Sequence, residues 1–496
     1  MKIQMNRVLG IRDPMIYGQF LEHFHRQIYG GVFDPASPLS NEKGFRKDVL
    51  DACRQLDVPV IRWPGGCFVS AYHWREGVGK NREPSFDKAW RVEEPNTFGT
   101  AEFFELCEAL DCKMYICSNA GSGTMEEMSD WLEYCNLESE GRYAKARILH
   151  GYEKPFGVKY FSIGNENYGA WEIGSHDSRE WGRLVAESAK MLLRVDPEVE
   201  LSAAALPDCE WNLELLKQAG PYLKWLSLHQ YWDPIHTTND LAAYEQTMAY
   251  TNDLSSSLDK VIGILKATGY LGKIHIAYDE WNLRGWYHPA IHTYTQSKDK
   301  EEYLYPRDKN DDNSSYTMAD TVFTACVLNM LHRYSPYVKM ANYAPMVNTR
   351  GLIYTHEKGL VKRGTYHVFD LFSHKLGETI VDSWEPNTMM FEICDKNGQT
   401  IPVEMTDTLA TLRSDGVCAV SLINKHPNCE AVISLETADF TPDHAILYTI
   451  NGSSTDDYND IDHPDNIRIR EKTLPEWKTI VLPPHSVNIV ELYPVR

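Results

Sequence analysis

Two glutamates in this sequence of 496 residues each follow a short run of mostly apolar residues. Glu166 lies in YFSIGNENYGAW, between two asparagines, and Glu280 lies in IAYDEWN. A carboxyl group that donates a proton and a second carboxylate that acts as nucleophile form the pair that can cleave a glycosidic bond. A single glutamate at the end of a strand is more often a surface or capping residue, so the hypothesis requires both glutamates to lie at one site.

The other residues that follow apolar runs are mostly polar or aromatic, and few of them are cationic. Sugar hydroxyl groups need hydrogen-bond donors and acceptors, and sugar rings pack on tryptophan or tyrosine, so these run ends suit a carbohydrate. Three tryptophans, Trp171, Trp281 and Trp286, either pack on a sugar or fill the core. The residues of this kind at the ends of the apolar runs are Glu22, His23, His25, Arg62, Cys67, Asn119, Asn165, His229, Gln230, Tyr231, Asp279, Asn282, Asn342 and Asn348.

Eight β-rich runs, most of them separated by helical patterns, are the elements that must position these side chains. Because the runs are apolar rather than alternating, they indicate a parallel sheet closed as a (β/α)8 TIM barrel. Catalytic groups of such barrels collect at the carboxyl ends of the strands, so Glu166 on the fourth strand and Glu280 on the seventh would face each other. The predicted strands are Met15–Leu21, Val60–Trp63, Lys113–Ser118, Val158–Gly164, Glu200–Ala205, Trp225–Trp232, Lys273–Trp281 and Lys339–Ala344.

Apolar residues at spacings of three and four predict helices between the strands. One of them, Ser178–Val195, begins with a serine that is predicted as its N-cap. After about Leu376 this periodicity gives way to strand-like runs between turn residues, which predicts a C-terminal all-β sandwich of roughly 120 residues. The other predicted helices are Phe45–Leu56, Thr100–Leu110 and Ser314–Tyr334.

The formal net charge of −21 argues against nucleic acid and anionic membranes as partners, since both require clustered lysine and arginine. The first residues contain no apolar core of a secretory signal, and no apolar run approaches the length of a transmembrane helix. The 11 cysteines are scattered without a C-x-x-C pair, which favours free thiols in a reducing compartment. The expected location is cytoplasmic.

Two other interpretations stay open at this point. His23 and His25, at the end of the first strand, could hold zinc together with His229, which would make a metal-dependent barrel hydrolase. Against this, no further histidine follows the fifth strand and no acid follows the eighth, so the site would have too few ligands for the metal. The second alternative is a non-catalytic protein that only binds carbohydrate, and it gives two opposed acids no role.

Seven motifs resemble, in order along the chain, those of glycoside hydrolase family 51, the α-L-arabinofuranosidases. They are GQFLEHFHRQIYGGVFDP, IRWPGGCFVSAYHWREGVG, FSIGNENYGAWEIG, LSLHQYW, IAYDEWN, MANYAPMVNTRGLIYT and TYHVFDLF. The resemblance covers about Met15 to Leu376, and the C-terminal strands fit the family's β-sandwich. The sequence departs from better-known members at Cys67, at Pro345 and in the insertion 284–313, which leaves the substrate preference open.

The resemblance implies that Glu166 is the acid/base and Glu280 the nucleophile of a retaining, exo-acting glycosidase without metal or other cofactor. If the two carboxyl groups lie about 5–5.5 Å apart, the reaction retains the anomeric configuration. Asn165 would hold the 2-hydroxyl group of the sugar, and Tyr231 would donate a hydrogen bond to the nucleophile. The other residues assigned to substrate binding are Glu22, Cys67, Trp171 and Asn348.

The resemblance also implies three parts of the chain: a strand within residues 1–12 that joins the C-terminal sandwich, the barrel in 13–376 and the sandwich in 377–496. The expected substrates are arabinofuranosyl oligosaccharides from arabinoxylan or arabinan, which would lose terminal arabinofuranose. Activity on glucan or xylan, as in a few members of the family, and on β-D-galactofuranosides, whose ring stereochemistry is similar, are alternatives. A homo-oligomer, a hexamer by family resemblance, is expected.

Overall fold

The computed structural model describes residues 1–233, 243–285, 308–394, 398–438 and 440–495. A closed barrel of eight parallel strands occupies its larger part, with each strand beside its neighbours in the sequence and the eighth beside the first. The predicted fold class is confirmed, and each predicted strand overlaps a barrel strand. The barrel strands are Gly18–Phe20, Val60–Trp63, Lys113–Ser118, Tyr160–Ile163, Glu200–Ala204, Trp225–Asp233, His275–Arg284 and Val338–Tyr343.

Helices surround the barrel, and their apolar faces form one large core with the strands. The helix Met318–Arg333 is buried on nearly every side because it contacts both a barrel strand and the C-terminal strands. None of the helices within the described ranges is long and apolar enough to cross a membrane. The described α-helices are Lys47–Gln55, Thr100–Leu110, Met125–Asn136, Arg142–Leu149, Ser178–Val195, Cys209–Ala219, Tyr244–Tyr250, Ser256–Thr268, Met318–Arg333 and Gly364–Lys375.

Asp177, rather than the predicted Ser178, caps the helix Ser178–Val195. The Asp177 carboxylate accepts hydrogen bonds from the backbone amides of Arg179 at 3.0 Å and Glu180 at 2.8 Å. The predicted cap was therefore wrong by one residue. Serine and aspartate both cap helices well, and here they stand side by side, so residue type could not decide between them.

Replacing Asp177 with alanine is expected to lower the free energy of unfolding by about 1 kcal/mol, because two amides at the start of the helix lose their acceptor. The midpoint of urea unfolding measures the effect. Ser178→Ala is the matched control and should change the midpoint much less, since the cap hydrogen bonds come from Asp177. A larger loss in Ser178→Ala than in Asp177→Ala would contradict this assignment.

The C-terminal part is built on a sheet of eight strands. The first strand of the chain, Lys2–Ile11, belongs to this sheet and pairs antiparallel with Thr379–Trp384. The first residues of the chain therefore form a strand of the C-terminal sheet, and the barrel begins after them. On this pairing we propose the division into residues 1–12, 13–376 and 377–496.

A smaller sheet covers one face of the large one. Ala431–Ser434 pairs with Thr479–Leu482, and Ile433 and Ile480 share a hydrophobic core with Val420 of the large sheet. This two-layer packing is the predicted β-sandwich. The large sheet contains Lys2–Ile11, Thr379–Trp384, Thr406–Leu412, Cys418–Asn424, Glu436–Ala438, Pro442–Ile450, Ile469–Leu474 and Ser486–Pro494; the other strand pairs are Ser85–Asp87 with Val92–Glu94, Ile353–His356 with Gly359–Lys362 and Met390–Cys394 with Thr400–Glu404.

Candidate active site

Glu280 lies towards the carboxyl end of the seventh barrel strand, His275–Arg284, and is largely buried. The hydroxyl group of Tyr231 donates a hydrogen bond to Glu280 Oε1 at 2.6 Å, and Arg62 Nη1 donates to Oε2 at 3.1 Å. Tyr231 comes from the sixth strand and Arg62 from the second, so three strands fix one carboxyl group. Two donors, one of them cationic, suit an ionised carboxylate.

Glu166 follows the fourth barrel strand, Tyr160–Ile163, in a left-handed backbone conformation with φ of 45°. This conformation is uncommon for a residue other than glycine and persists where the surroundings impose it. Trp171 Nε1 donates a hydrogen bond to Glu166 Oε2 at 2.8 Å, and Nδ1 of His229 lies 2.9 Å from Oε1. These contacts hold the carboxyl group at the mouth of the barrel.

The carboxyl groups of Glu166 and Glu280 meet at His229. Nδ1 of His229 lies 2.9 Å from Glu166 Oε1 and 3.5 Å from Glu280 Oε2. One carboxylate oxygen of each glutamate and a ring nitrogen of His229 all lie within 4.8 Å of one another. The nearest oxygens of the two carboxyl groups therefore lie close together, which is compatible with the separation of about 5–5.5 Å at which one carboxylate acts as nucleophile.

Asp279 contacts the second ring nitrogen of His229, the one that does not face the two glutamates. Asp279 Oδ1 lies 3.4 Å from Nε2 of His229, and the Asp279 carboxylate also accepts hydrogen bonds from Tyr115 at 2.6 Å and Ser227 at 2.8 Å. Arg62 Nε also lies 3.5 Å from Asp279 Oδ2, and because Asp279 is completely buried these four contacts leave it little freedom to move. These contacts hold the imidazole ring of His229 so that its Nδ1 faces both Glu166 and Glu280.

Asn165 immediately precedes Glu166 and is almost completely buried. Its side-chain oxygen accepts a hydrogen bond from Arg62 Nη2 at 2.8 Å, which leaves the amide nitrogen as the free end. That nitrogen has no hydrogen-bond partner among the described residues. A buried donor without a partner costs free energy, and a ligand hydroxyl group can satisfy it.

Glu22 reaches the site because the loop after the second barrel strand approaches it closely. Gly65 has φ of +148°, and a Cβ atom there would lie 2.3 Å from Cγ of Glu22, so only glycine permits this approach. The backbone amides of Gly66 and Phe68, both at 3.1 Å, and the indole of Trp90, at 3.2 Å, donate hydrogen bonds to Glu22 Oε1. No hydrogen bond to the second oxygen of Glu22 occurs within the described part of the chain.

Burial and neighbouring charges set the protonation states. Burial lowers the pKa of His229, but the charges and hydrogen bonds of the surrounding carboxylates, Glu280 foremost, raise it to about 10. Burial raises the pKa of Glu166, yet the hydrogen bond and charge of His229 and the indole of Trp171 bring it below its ordinary value. Burial, followed by the charge of Glu280, raises the pKa of Glu22 to about 8. At neutral pH His229 is therefore cationic, and Glu22 is mostly a carboxylic acid that can donate a hydrogen bond.

Cys67 follows the same two glycines and approaches Glu166. Its Sγ atom and one carboxylate oxygen each of Glu166 and Glu172 lie within 4.8 Å of one another. Burial, followed by the charge of Glu172, raises the pKa of the Cys67 thiol well above its ordinary value. Cys67 is thus a neutral thiol beside the acid and lacks the thiolate character of a nucleophile.

The three tryptophans considered above differ in their surroundings. Trp171 is 37% exposed and contacts Glu166, so its ring lies at the mouth and is available to a sugar. Trp281 is buried and packs on core aromatic rings. Trp286 lies outside the described residues, as does most of the insertion 284–313.

Asn348, which is predicted to bind substrate, makes hydrogen bonds within its own surroundings in this structure. Its amide nitrogen donates hydrogen bonds to the carbonyl oxygen of Arg26 at 2.6 Å and to Oγ1 of Thr355 at 2.8 Å. Its amide oxygen accepts a hydrogen bond from the backbone amide of Thr355 at 2.8 Å. Because Asn348 is completely buried and uses both ends of its side chain, it holds the loop after the eighth strand.

The predicted zinc ligands do not come together. Both ring nitrogens of His23 are engaged, one by the carboxylate of Glu94 at 3.0 Å and the other by the indole of Trp63 at 3.1 Å. His229 faces the paired glutamates instead. Among the described residues, neither group of potential metal ligands includes His23 or His25. The alternative zinc site of His23, His25 and His229 is therefore not assembled among the described residues.

Three residues of the site had no role assigned from the residues or from the resemblance, and a fourth, His229, had one only in the zinc alternative. Arg62 and His229 lie on barrel strands that lead to the mouth, and that position was their signal. The guanidinium of Arg350 lies 5.5 Å from the ring centre of Tyr231, and Glu172 lies beside Cys67. Arg350 and Glu172 belong to loops beyond the strand ends, where the sequence pattern offered no signal.

Two family models match the chain. Residues 52–249 match the model described as the α-L-arabinofuranosidase 1 domain, and residues 279–486 match the α-L-arabinofuranosidase C-terminal domain. The two matches together cover most of the barrel and most of the sandwich.

The chain is similar to several known proteins and solved structures over most of their lengths. The chain is 32% identical to the probable α-L-arabinofuranosidase C of Aspergillus niger, over 96% of this chain and 94% of that relative. It is 34% identical to the intracellular exo-α-(1→5)-L-arabinofuranosidase of Halalkalibacterium halodurans, over 71% and 70%. The crystal structure of the α-L-arabinofuranosidase of Thermotoga maritima in complex with arabinose aligns with a TM-score of 0.87 at 32% identity, over 99% of both chains.

Proposed function

The chain belongs to glycoside hydrolase family 51 and is an α-L-arabinofuranosidase, and on this basis we propose that it releases terminal arabinofuranose by a retaining double displacement. In this proposal Glu280 is the nucleophile and Glu166 the acid/base. The observation that carries it is that one carboxylate oxygen of each glutamate lies within 4.8 Å of one of the other, beside His229. That spacing supports direct attack by a carboxylate rather than attack by a water held between two carboxyl groups.

In the first step Glu280 attacks the anomeric carbon while Glu166 protonates the departing oxygen. A bond forms between a carboxylate oxygen of Glu280 and the anomeric carbon, and the glycosidic bond breaks as the leaving alcohol takes the proton. Tyr231 and Arg62 hold Glu280 in place for attack. The unpaired amide nitrogen of Asn165 supplies a hydrogen bond to the 2-hydroxyl group, which strengthens as oxocarbenium character develops.

In the second step Glu166, now a carboxylate, removes a proton from water as that water attacks the anomeric carbon. The bond to Glu280 breaks, and two inversions together restore the original configuration. The cationic ring of His229, 2.9 Å from Glu166, stabilises the carboxylate form that accepts this proton.

We propose arabinofuranosyl oligosaccharides from arabinoxylan or arabinan as substrates. A mouth with several carboxyl groups and few cations suits a neutral sugar better than an anionic one. Glu22 and Asn165 offer hydrogen-bond donors to ring hydroxyl groups, and the exposed ring of Trp171 offers a face to the sugar beyond the cleaved bond. Product analysis on arabinoxylan, debranched arabinan and glucan separates these substrates.

Proton NMR during hydrolysis of an aryl α-L-arabinofuranoside tests the mechanism. The first arabinofuranose to appear should be the α anomer, before mutarotation mixes the anomers. First appearance of the β anomer would reject the retaining mechanism and would assign Glu280 to the activation of water instead.

Dialysis against a chelator is expected to leave kcat/KM unchanged, because the proposed chemistry uses only side chains. Both ring nitrogens of His23 are already engaged, which supports this expectation. A zinc-dependent hydrolase treated in parallel is the control for complete chelation. Activity that the chelator removes and added zinc restores would contradict the prediction.

We also propose a cytoplasmic homo-oligomer. All 11 cysteines are free thiols, which suits a reducing compartment, and the relative from Halalkalibacterium halodurans is named intracellular. The family resemblance favours a hexamer. Light scattering of the purified protein measures the mass, and the mass of a single chain would reject this part of the proposal.

A further inference from the structure

Glu172 is a third carboxyl group beside the proposed acid/base, and the mechanism above gives it no role. It lies on the loop after the fourth barrel strand and is 5% exposed. One of its carboxylate oxygens lies within 4.8 Å of an oxygen of Glu166 and of the Sγ atom of Cys67. Neither oxygen of Glu172 has a hydrogen-bond partner of good geometry among the described residues.

A carboxylate in such a place is costly, since burial disfavours the charged form and no strong donor compensates for it. Burial is the largest cause that raises the pKa of Glu172, to about 7, and the charges of Glu166 and Glu280 act in the same direction. The side chains of Ser70 and Cys67 face Glu172 and partly offset this effect. Glu172 therefore keeps a proton close to neutral pH.

The first catalytic step needs a proton on Glu166, whereas the cationic His229 beside Glu166 favours its carboxylate form. Two buried carboxyl groups at this separation oppose each other's ionisation, so the pair loses its last proton at a higher pH than an isolated group would. Glu172 adds to the opposition that Glu280 already exerts on Glu166, because one of its carboxylate oxygens lies within 4.8 Å of an oxygen of Glu166.

We propose that Glu172 is a positioning residue that keeps a proton available to Glu166 for the first step of the proposed reaction. The pair Glu166 and Glu172 holds one proton near neutral pH, and that proton exchanges through solvent. The leaving oxygen takes the proton while it resides on Glu166, and the water of the second step returns one to the pair. This inference rests on the proposed roles of Glu166 and Glu280.

The pH profile of kcat/KM for Glu172→Gln tests the inference, since the basic limb reports loss of the proton from the catalytic acid. In the wild type, rising pH removes the last proton of the pair. In the variant, Glu166 keeps Glu280 and His229 as neighbours but lacks the opposing carboxyl group of Glu172, so it loses its proton at lower pH. The basic limb is therefore expected to move down by about one pH unit. Glu172→Asp keeps a carboxyl group and should restore most of the wild-type profile.

Glu172→Leu provides a second measurement with the same sign. It removes the carboxyl group and leaves apolar atoms in the buried position, so the basic limb should again move to lower pH. Glu127→Gln is the matched control, because Glu127 is a buried glutamate that contacts His73 outside the site. Its profile should coincide with that of the wild type.

Coincident basic limbs of the wild type and Glu172→Gln would overturn the inference and leave the proposed function intact. If Glu172→Gln does not fold, an unmoved limb in Glu172→Leu overturns it equally. Failure of the proposed function looks different: the first product of the wild type would be the β anomer, whatever the variants of Glu172 do.

Discussion

Glu280→Gln is expected to lower kcat by about 10⁴-fold or more, because an amide cannot form the covalent bond to the anomeric carbon. Glutamine keeps the shape of the side chain and can still accept the hydrogen bond from Tyr231. Substrate binding should therefore persist while turnover fails. Steady-state kinetics with an aryl α-L-arabinofuranoside measures the loss, and calorimetric titration with an oligosaccharide measures the binding.

Glu127→Gln again serves as the matched control and should keep the wild-type kcat, since Glu127 lies outside the site. A slow substrate that traps the covalent intermediate gives an independent measurement. Peptide mapping of the wild type should find the arabinosyl adduct on Glu280, and the variant should carry none. A variant that keeps more than about a tenth of the wild-type kcat, or an adduct on another residue, would contradict the assignment.

Several barrel strands could be predicted because they are short, mostly apolar runs that are largely buried on both faces. Val60–Trp63 and Lys113–Ser118 have the predicted bounds in the structure. The C-terminal sheet was less predictable. Ile469–Leu474, with the sequence IREKTL, is mostly exposed and has no apolar run, so its hydrogen bonds to Ala445–Ile450 define it as a strand. Pairing of this kind depends on a distant segment and leaves little trace in the local sequence.

Of the candidate site, too, the residues on strands could be predicted from the sequence better than those on loops. Strand ends indicated Glu166 and Glu280, because parallel strands bring their carboxyl ends to one mouth. Asn348 stood in a similar position, yet its loop adopts φ of 57° and turns the amide into hydrogen bonds of its own backbone surroundings. Glu172 meets Cys67 only because two loops fold over each other. Loop geometry decided both cases, and no periodicity in the sequence encodes it.

Glu166→Ala is expected to lower kcat/KM for oligosaccharides by about 10²–10⁴-fold, the usual contribution of a general acid. An aryl substrate with a good leaving group should lose much less in kcat/KM, because its departure needs little protonation. Its kcat should still fall, since no base remains to activate water and the intermediate on Glu280 accumulates. Steady-state kinetics with both substrates and a burst of released phenol measure these effects.

Azide separates the roles of the two glutamates. In Glu166→Ala the azide anion needs no base, so it should attack the intermediate on Glu280, restore kcat for the aryl substrate and give an arabinosyl azide of retained configuration. In Glu280→Ala azide would replace the nucleophile itself and give the inverted azide. The two carboxyl groups lie so close together that the loss of rate alone cannot distinguish their roles, whereas the anomeric configuration of the azide can. An inverted azide from Glu166→Ala, or no rescue of it, would contradict the acid/base role.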